Sequence, residues 1–366
     1  MSSIVAVLTS GVVNRHLKHA FAANANVAMI NNFGTADQPV VIVGGGGRTG
    51  MAVAEAVANP SFGNMHAVTL SRSGRDPYQI IKLPTATKDH LQHKDEPFDV
   101  RDSQATISAS LRALSPSVIV YAASASKQGG NSFEVDDAGV EKVAMACKEI
   151  GAVFVLISAL AVDRPDSKSY QITNTLGGEC IIFCALCVSC ISAVSFLEID
   201  AVLCHFVNLS FYSLIPFFHL PTEIGNYQGI MEAKYNGEVK TRKIFSSGKS
   251  DYVIVRPGVL LNGKTTAGPA GIELNQGDTI GGGLSRDELA GVVVGAIQSR
   301  ALAFNKPKQG GQGITVEAYR KSTAQKLEKK FSIPSGNELA VDSSKLMALS
   351  TPNALYQELF SVAKVD

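Results

Sequence analysis

The stretch Pro39-Val-Val-Ile-Val-Gly-Gly-Gly-Gly-Arg-Thr-Gly50 decides how this chain is read. Val40 to Val43 is an unbroken β-branched run without polar alternation, the pattern of a strand buried on both faces. The glycines that follow make a turn. Beyond them Val53, Ala54, Val57 and Ala58 recur at helical spacing, and the pattern stops before Pro60.

The same alternation of strand and helix runs outward along the chain. Strands are predicted over 66–71, 98–100, 118–121, 153–157 and 252–255. Helices are predicted over 104–114, 134–150 and 231–245, with a last one whose apolar stripe is Leu289, Val292, Val293, Ala296 and Ile297. That helix opens with a capping box, Ser285 followed three residues later by Glu288. Strands separated by helices imply an α/β fold, a doubly wound parallel sheet with a small C-terminal region on the substrate side. The basic tail, Arg320, Lys321, Lys326, Lys329 and Lys330, reads as a solvated helix outside the sheet. Cys147 falls in register with Val140, Val143 and Ala144 and is expected to be a buried thiol.

Composition narrows the function. Of 366 residues, 33 are basic and 32 acidic, a formal charge of +1, so attraction to nucleic acid is not the organising theme. Residues 1–38 contain one acid, Asp37, and a basic cluster at Arg15, His16, Lys18 and His19. They read as a targeting-like or disordered leader. The folded unit is expected over 39–331, with an extension over 332–366.

The glycine turn meets two spacings at once, Gly45-x-Gly47-x-x-Gly50 and Gly44-x-x-Gly47-x-x-Gly50. After a strand and before a helix, this pattern lets the backbone approach a pyrophosphate, whose charge sits on free N–H groups at the helix N-terminus. An NAD-binding chain places a carboxylate at the end of the second strand to hold the ribose 2′-hydroxyl. Here Ser71 and Arg72 stand there, and Arg72, with Arg48 in the turn, suits a 2′-phosphate instead. The reading is NADP, with NAD as the alternative.

At this level the chain resembles the atypical short-chain dehydrogenase/reductases, specifically the NmrA-like NAD(P)-binding proteins of plastids and bacteria, whose core is Rossmann-like. The resemblance rests on VVIVGGGGRTG, FDVRD, VFVLISAL, MEAKYNGE, DYVIVRPGVL and LSRDELAGVVVGAI, in family order from about residue 39 to 300. It implies that Gly44, Gly45, Gly47, Arg48, Thr49 and Gly50 hold the cofactor. It further implies that Val100 and Asp102 edge the adenine pocket, that Ala122, Ala123 and Ser124 line the cofactor, and that Arg256, Pro257 and Gly258 form a wall near the nicotinamide. The family's catalysis uses a hydroxyl after the fifth strand, here Ser158, and a Tyr-x-x-x-Lys pair. Lys234 matches the lysine, but the tyrosine position is Ile230. Tyr235 lies one residue past the lysine, on a different helix face, and Tyr170 lacks the spacing. The implied function is an NADP(H)-dependent oxidoreductase on a small carbonyl or enoyl substrate. The alternative is a non-enzymatic NADP(H)-binding regulator or assembly factor. Plastid location is the expectation, with the cytoplasm as alternative.

Residues 178–222 stand apart. Cys180 to Leu197 and Ala201 to Leu220 contain no Lys, Arg, Asp or Glu, and five of the six cysteines are there. The two runs, of about 18 and 20 residues, have the length of membrane spans. Cys180-x-x-x-Cys184-x-x-Cys187 has the spacing of an iron–sulfur site but no context for one, and no metal is expected. The preferred reading is translated intron. Gly178-Glu179-Cys180 can be encoded with a GTGAGT donor, Ser210 to Pro221 can be pyrimidine-rich, and Thr222-Glu223 can supply a CAG acceptor in the same phase. Excision joins Gly177 through a glutamate to Ile224. A membrane partner enters only if the insertion is real.

Overall fold

A computed structural model describes residues 33–79, 83–126, 129–165, 167, 170–171, 228–247, 250–263, 268–278, 280–304, 313–326, 359–360, 363 and 365–366. The leader and the 178–222 insertion lie outside the described residues, as do Lys329 and Lys330. Among the described residues no helix is long and apolar enough to cross a membrane.

The chain begins its fold as its sequence dictates: β1 (Val40–Val43), the glycine turn, then α1 (Arg48–Ala58). It continues through β2 (Ala67–Leu70), a single helical turn α2 (Thr85–Lys88), β3 (Leu91–His93), α3 (Gln104–Ala113) and β4 (Val118–Tyr121). A π-helical stretch, Phe133–Gly139, leads into α4 (Val140–Ile150) and β5 (Val153–Ile157). Then come α5 (Ile230–Phe245), β6 (Tyr252–Pro257), β7 (Val259–Leu261), β8 (Ile272–Asn275), β9 (Ile280–Gly281) and β10 (Gly283–Ser285). The last elements are α6 (Arg286–Phe304), β11 (Gly313–Arg320) and β12 (Gln325–Lys326).

Among the described residues eight strands form one sheet in the order β3-β2-β1-β4-β5-β6-β11-β8, parallel throughout except for β8, which runs antiparallel to β11. This is the doubly wound Rossmann order, which reverses direction between β1 and β4 and opens a crevice at their carboxyl ends. Successive strand residues point to opposite faces. Val40, Ile42, Val118, Val120, Val253 and Val255 pack under α1 and α6, while Val41, Val43, Ile119, Phe154 and Ile254 pack under α3 and α4. Both faces are therefore apolar, which is why β1 shows no alternation. Cys147 is buried in the second of these layers.

Two expectations are corrected. The third strand is Leu91–His93, paired with Ala67 to Thr69, and not 98–100. Phe98 and Val100 are buried, but their backbone crosses the carboxyl end of the sheet, where Phe98 N–H donates to Ser71 O at 2.9 Å. Nor do the described residues of the basic tail form a solvated helix. Arg320 ends β11, an interior strand of the sheet, where it forms a bidentate pair with Glu288; Lys321 lies in a 3-10 turn and Lys326 in β12. Leu359 and Phe360 are buried in the first apolar layer, and Asp366 docks at the amino ends of β6 and β11.

Candidate active site

The glycine turn sits at the topological switch point. A Cβ on Gly44 would lie 2.5 Å from the backbone N of Ala123, and one on Gly50 would lie 2.3 Å from Gly44 O, so both positions require glycine. Gly47 is the N-cap of α1 in extended conformation, with no side chain to satisfy the free N–H groups of the first turn. Gly45 packs on Thr69, and Gly46 on Ser71, whose buried hydroxyl has no hydrogen-bond partner. Arg48 and Thr49 open the helix. The Arg72 guanidinium lies against Gly129 and Ser126 of the loop after β4, near the Asp99–Arg101 ion pair. Glycines, Ser71 and Arg72 thus converge on the β1 end of the crevice. Val100 is buried beside Gly139, whereas Asp102 is exposed and uses its backbone carbonyl to hold Lys142 at 2.7 Å.

Across the crevice, Lys234 Nζ donates to Asp136 Oδ1 at 2.6 Å. The same oxygen accepts from Ser124 Oγ at 2.8 Å, and Asp136 Oδ2 accepts from the Ala125 N–H at 2.8 Å. The π-helical stretch makes this possible. Widening the helix by one residue per turn tips Asp136 inward, and the Tyr121 hydroxyl takes up the Val135 carbonyl at 2.6 Å. On α5, Gly237 lets the helix close on that turn, since a Cβ there would lie 2.4 Å from Asp136 O. Asp136, which sequence reading did not single out, is the hub of the site; among Glu134, Asp137, Glu141 and Lys142 nothing in the sequence sets it apart.

Lys234, Ser158, Asp136 and Tyr121 line one narrow crevice together with Val140, Leu156 and Ile157. Ser158 is buried, and its hydroxyl lies near Glu238, which it helps to keep ionised without a hydrogen bond of ordinary geometry. Ile230 fills the tyrosine position and is buried with Ala161, Val162 and Met231. Tyr235 borders the same apolar cluster, and its hydroxyl faces Asp163; burial raises its pKa. Pro257 ends β6, and Gly258 packs against the backbone of Gly282.

Arg256 points into the protein instead of into the crevice. It pairs with Glu238 through Nε at 3.0 Å and Nη2 at 2.7 Å, and with Asp163 through Nη1 at 2.9 Å. Asp278 and Glu317 stand 3.7 and 3.6 Å from the same Nη1. The wall expected from Arg256, Pro257 and Gly258 is therefore an ion cluster behind the site at its first residue.

No family model and no curated protein sequence matches this chain. Among solved structures it is similar to an oxidoreductase of Lactococcus lactis, at 15% identity over 78% of this chain and 92% of that one, TM-score 0.45. It is similar to the Bordetella bronchiseptica enzyme WbmG, seen with NAD and UDP, at 14% identity over 78% and 74%, TM-score 0.41. A third is dTDP-4-dehydrorhamnose reductase of Bacillus anthracis, seen with NADP, at 15% identity over 75% and 73%, TM-score 0.37. The fold assignment stands on the strand order of this chain itself.

Proposed function

We propose that the chain binds NADP(H) across the β1–β4 crevice and acts as an oxidoreductase on a small carbonyl or enoyl compound, as its NmrA-like motifs suggest. The observation that carries the reading is the convergence at one sheet edge. A side-chain-free helix N-terminus stands on one side, and the Lys234–Asp136–Ser124 cluster stands on the other. The residues present fit a dinucleotide. Gly44 to Gly47 leave room for a pyrophosphate, and the unpartnered Ser71 hydroxyl faces the turn beside Arg72, where a ribose 2′-phosphate would meet them.

When bound, the dinucleotide supplies a hydride at its nicotinamide. This chain's own residues orient and protonate. Lys234 spends one N–H on Asp136 and keeps two to offer to ribose hydroxyls or to the substrate oxygen. In this reading Ser158, which lines the same crevice, donates a hydrogen bond to that oxygen.

The test is binding of NADPH and NADH to the full chain. NADPH binds more tightly, and Arg72→Ala narrows the gap. One charge-assisted contact is worth roughly 1.5–3 kcal/mol, or about tenfold to a hundredfold for NADPH alone. Equal affinities in the unmutated chain overturn the cofactor assignment. A second reading, a regulator or assembly factor that binds NADP(H) without turning it over, is favoured by Ile230, which puts an apolar side chain where a proton donor is needed.

A further inference from the structure

Ser158, Arg256, Glu317 and Asn275 form one polar row across the carboxyl edge of the sheet. Strand registry sets Glu317 opposite both Arg256 and Asn275, and Ser158 follows directly on the Ile157–Val255 pair. Every element packed on this row adds charge. The loop after β5 brings Asp163 and Arg164, α5 brings Tyr235, Glu238 and Arg242, the loop between β8 and β9 brings Asp278, and β11 adds Tyr319. Arg242 also reaches Asp366. Five carboxylates thus face three guanidinium groups in a nearly dry interior, so electroneutrality takes two protons.

Where one of those protons sits follows from the contacts. Asp163 and Asp278 crowd the same two guanidinium groups, Arg256 Nη1 at 2.9 and 3.7 Å and Arg164 Nε at 4.0 and 3.3 Å, and a proton between the two carboxyls relieves their repulsion. Asp163 Oδ1 and both Asp278 carboxyl oxygens find no other donor of good geometry. Asp278 is built in under constraint: it is 1% exposed and has φ of 56°, an unusual backbone state for a residue other than glycine. Arg164 braces it, through Nε to Asp278 at 3.3 Å and through Nη2 to Gly277 O at 3.1 Å. Among the described residues no group of three or more His, Cys, Asp or Glu side chains is arranged to hold a metal ion.

We propose that Asp163 and Asp278 share one proton, and that this acid pair is a positioning element that acts through Arg256 and Glu238 on Ser158. While the proton is bound, the loop after β5 is clamped to the loop between β8 and β9. When it leaves at alkaline pH, two buried anions repel and the clamp loosens at Ser158. The directions of titration agree. Arg256 and Arg164 hold Asp163 down to about 2, while burial and the neighbouring Asp163 raise Asp278 well above the carboxylate range. Only the link to Ser158 rests on the function proposed above; the shared proton does not.

The test is infrared spectroscopy of the full chain, read beside its thermal stability. At neutral pH a protonated carboxyl C=O band is present. Asp278→Asn removes its share of that band, and Glu317→Gln, at a group that burial raises to about 8, removes another. The side-chain amide that Asp278→Asn introduces donates to Asp163 at every pH, so the alkaline fall in thermal midpoint is smaller in this variant than in the unmutated chain. Amide exchange at Ser158 and Leu160, corrected for its intrinsic pH dependence, rises at alkaline pH in the unmutated chain and not in the variant. A band unchanged by Asp278→Asn overturns the shared proton. A band that behaves as described with unaltered exchange at Ser158 overturns the positioning role. Failure to bind NADPH touches neither. If Asp278→Asn does not fold, Asp163→Asn serves: its side-chain amide takes the place of the shared proton, so the alkaline fall in thermal midpoint is again smaller than in the unmutated chain, and an undiminished fall overturns the pair.

Discussion

Lys234 and Asp136 meet at 2.6 Å with the carboxylate 1% and the ammonium 14% exposed, and this contact joins the two halves of the candidate site. Lys234 comes from α5, after β5; Asp136 comes from the π-helical stretch after β4 and also holds Ser124 and the Ala125 N–H. Whatever moves the loop after β4 therefore moves the lysine.

Lys234→Met tests whether that lysine carries chemistry. If it does, turnover of NADPH with a carbonyl and enoyl panel falls by at least about a hundredfold, the scale of general acid–base assistance, while NADPH affinity falls much less. Turnover that survives the substitution removes the lysine from catalysis. Tight NADPH binding with no turnover in either version favours the regulator.

Asp136→Asn keeps the shape and one acceptor oxygen but leaves the Lys234 ammonium without its buried counter-charge. Breaking such a pair from one side costs about 3–5 kcal/mol, so the thermal midpoint drops by many degrees, and Lys234→Met added to it recovers part of the loss. Additive losses in the double variant would show that the two residues do not act as a pair.

The glycine turn offers two substitutions with opposite signatures. Gly47 is an N-cap in extended conformation, where its Cβ would meet only Gly44 O at 3.3 Å, and aspartate is a favoured residue in that place. Gly47→Asp is expected to hold or slightly raise stability while abolishing NADPH binding, because its carboxylate occupies the place of the pyrophosphate. Gly50→Ala puts a methyl 2.3 Å from Gly44 O and disrupts the turn itself, lowering the thermal midpoint. Retained NADPH binding in folded Gly47→Asp would remove the turn from the cofactor site.

These contrasts show which parts of the molecule were legible in the sequence. β1, β4, β5 and β6 are interior parallel strands, and their uninterrupted apolar runs could mean little else. The Ser285–Glu288 capping box is present as read, with Ser285 N–H donating to Glu288 at 2.8 Å and Glu288 N–H donating to Ser285 at 3.2 Å. β11 was missed because it carries two charged residues, Glu317 buried beside Arg256 and Arg320 paired with Glu288, so its pattern does not look buried. Phe98 and Val100 misled in the reverse sense: apolar burial came from a loop crossing the sheet edge. Asp136 and the Arg256 cluster escaped because a buried ion pair leaves no periodic mark; only the meeting of distant segments reveals it.

The C-terminal docking yields a stability prediction. Asp366 accepts from Thr315 N at 2.9 Å, Thr315 Oγ1 at 2.7 Å and the Tyr252 hydroxyl at 2.9 Å, and lies 3.6 Å from Arg242 Nε. Asp366→Ala leaves these donors without their carboxylate, at a cost of about 1–3 kcal/mol for the least accessible of them. Thermal denaturation reads the loss; an unchanged midpoint would show that water replaces the carboxylate at these donors.

The last prediction concerns the apolar stretch 178–222, which falls between two well-packed parts of the site, the Asp163–Arg164 loop and the Ile230 end of α5. The flanking segments already meet one another. Ala161 and Val162 pack with Ile230 and Met231 in one apolar cluster. Two uncharged runs of about 18 and 20 residues have the length of membrane spans, so a chain that carries them is expected to partition into detergent or lipid. On the splice reading, cDNA lacks the codons for 178–222, and peptides of the mature protein bridge Leu176-Gly177 through one glutamate to Ile224. A chain translated without the stretch is then soluble and binds NADPH, because every residue of the crevice lies outside it. An endogenous peptide containing Phe183 or Phe217 would overturn the splice reading and make the membrane hairpin the better account of these residues.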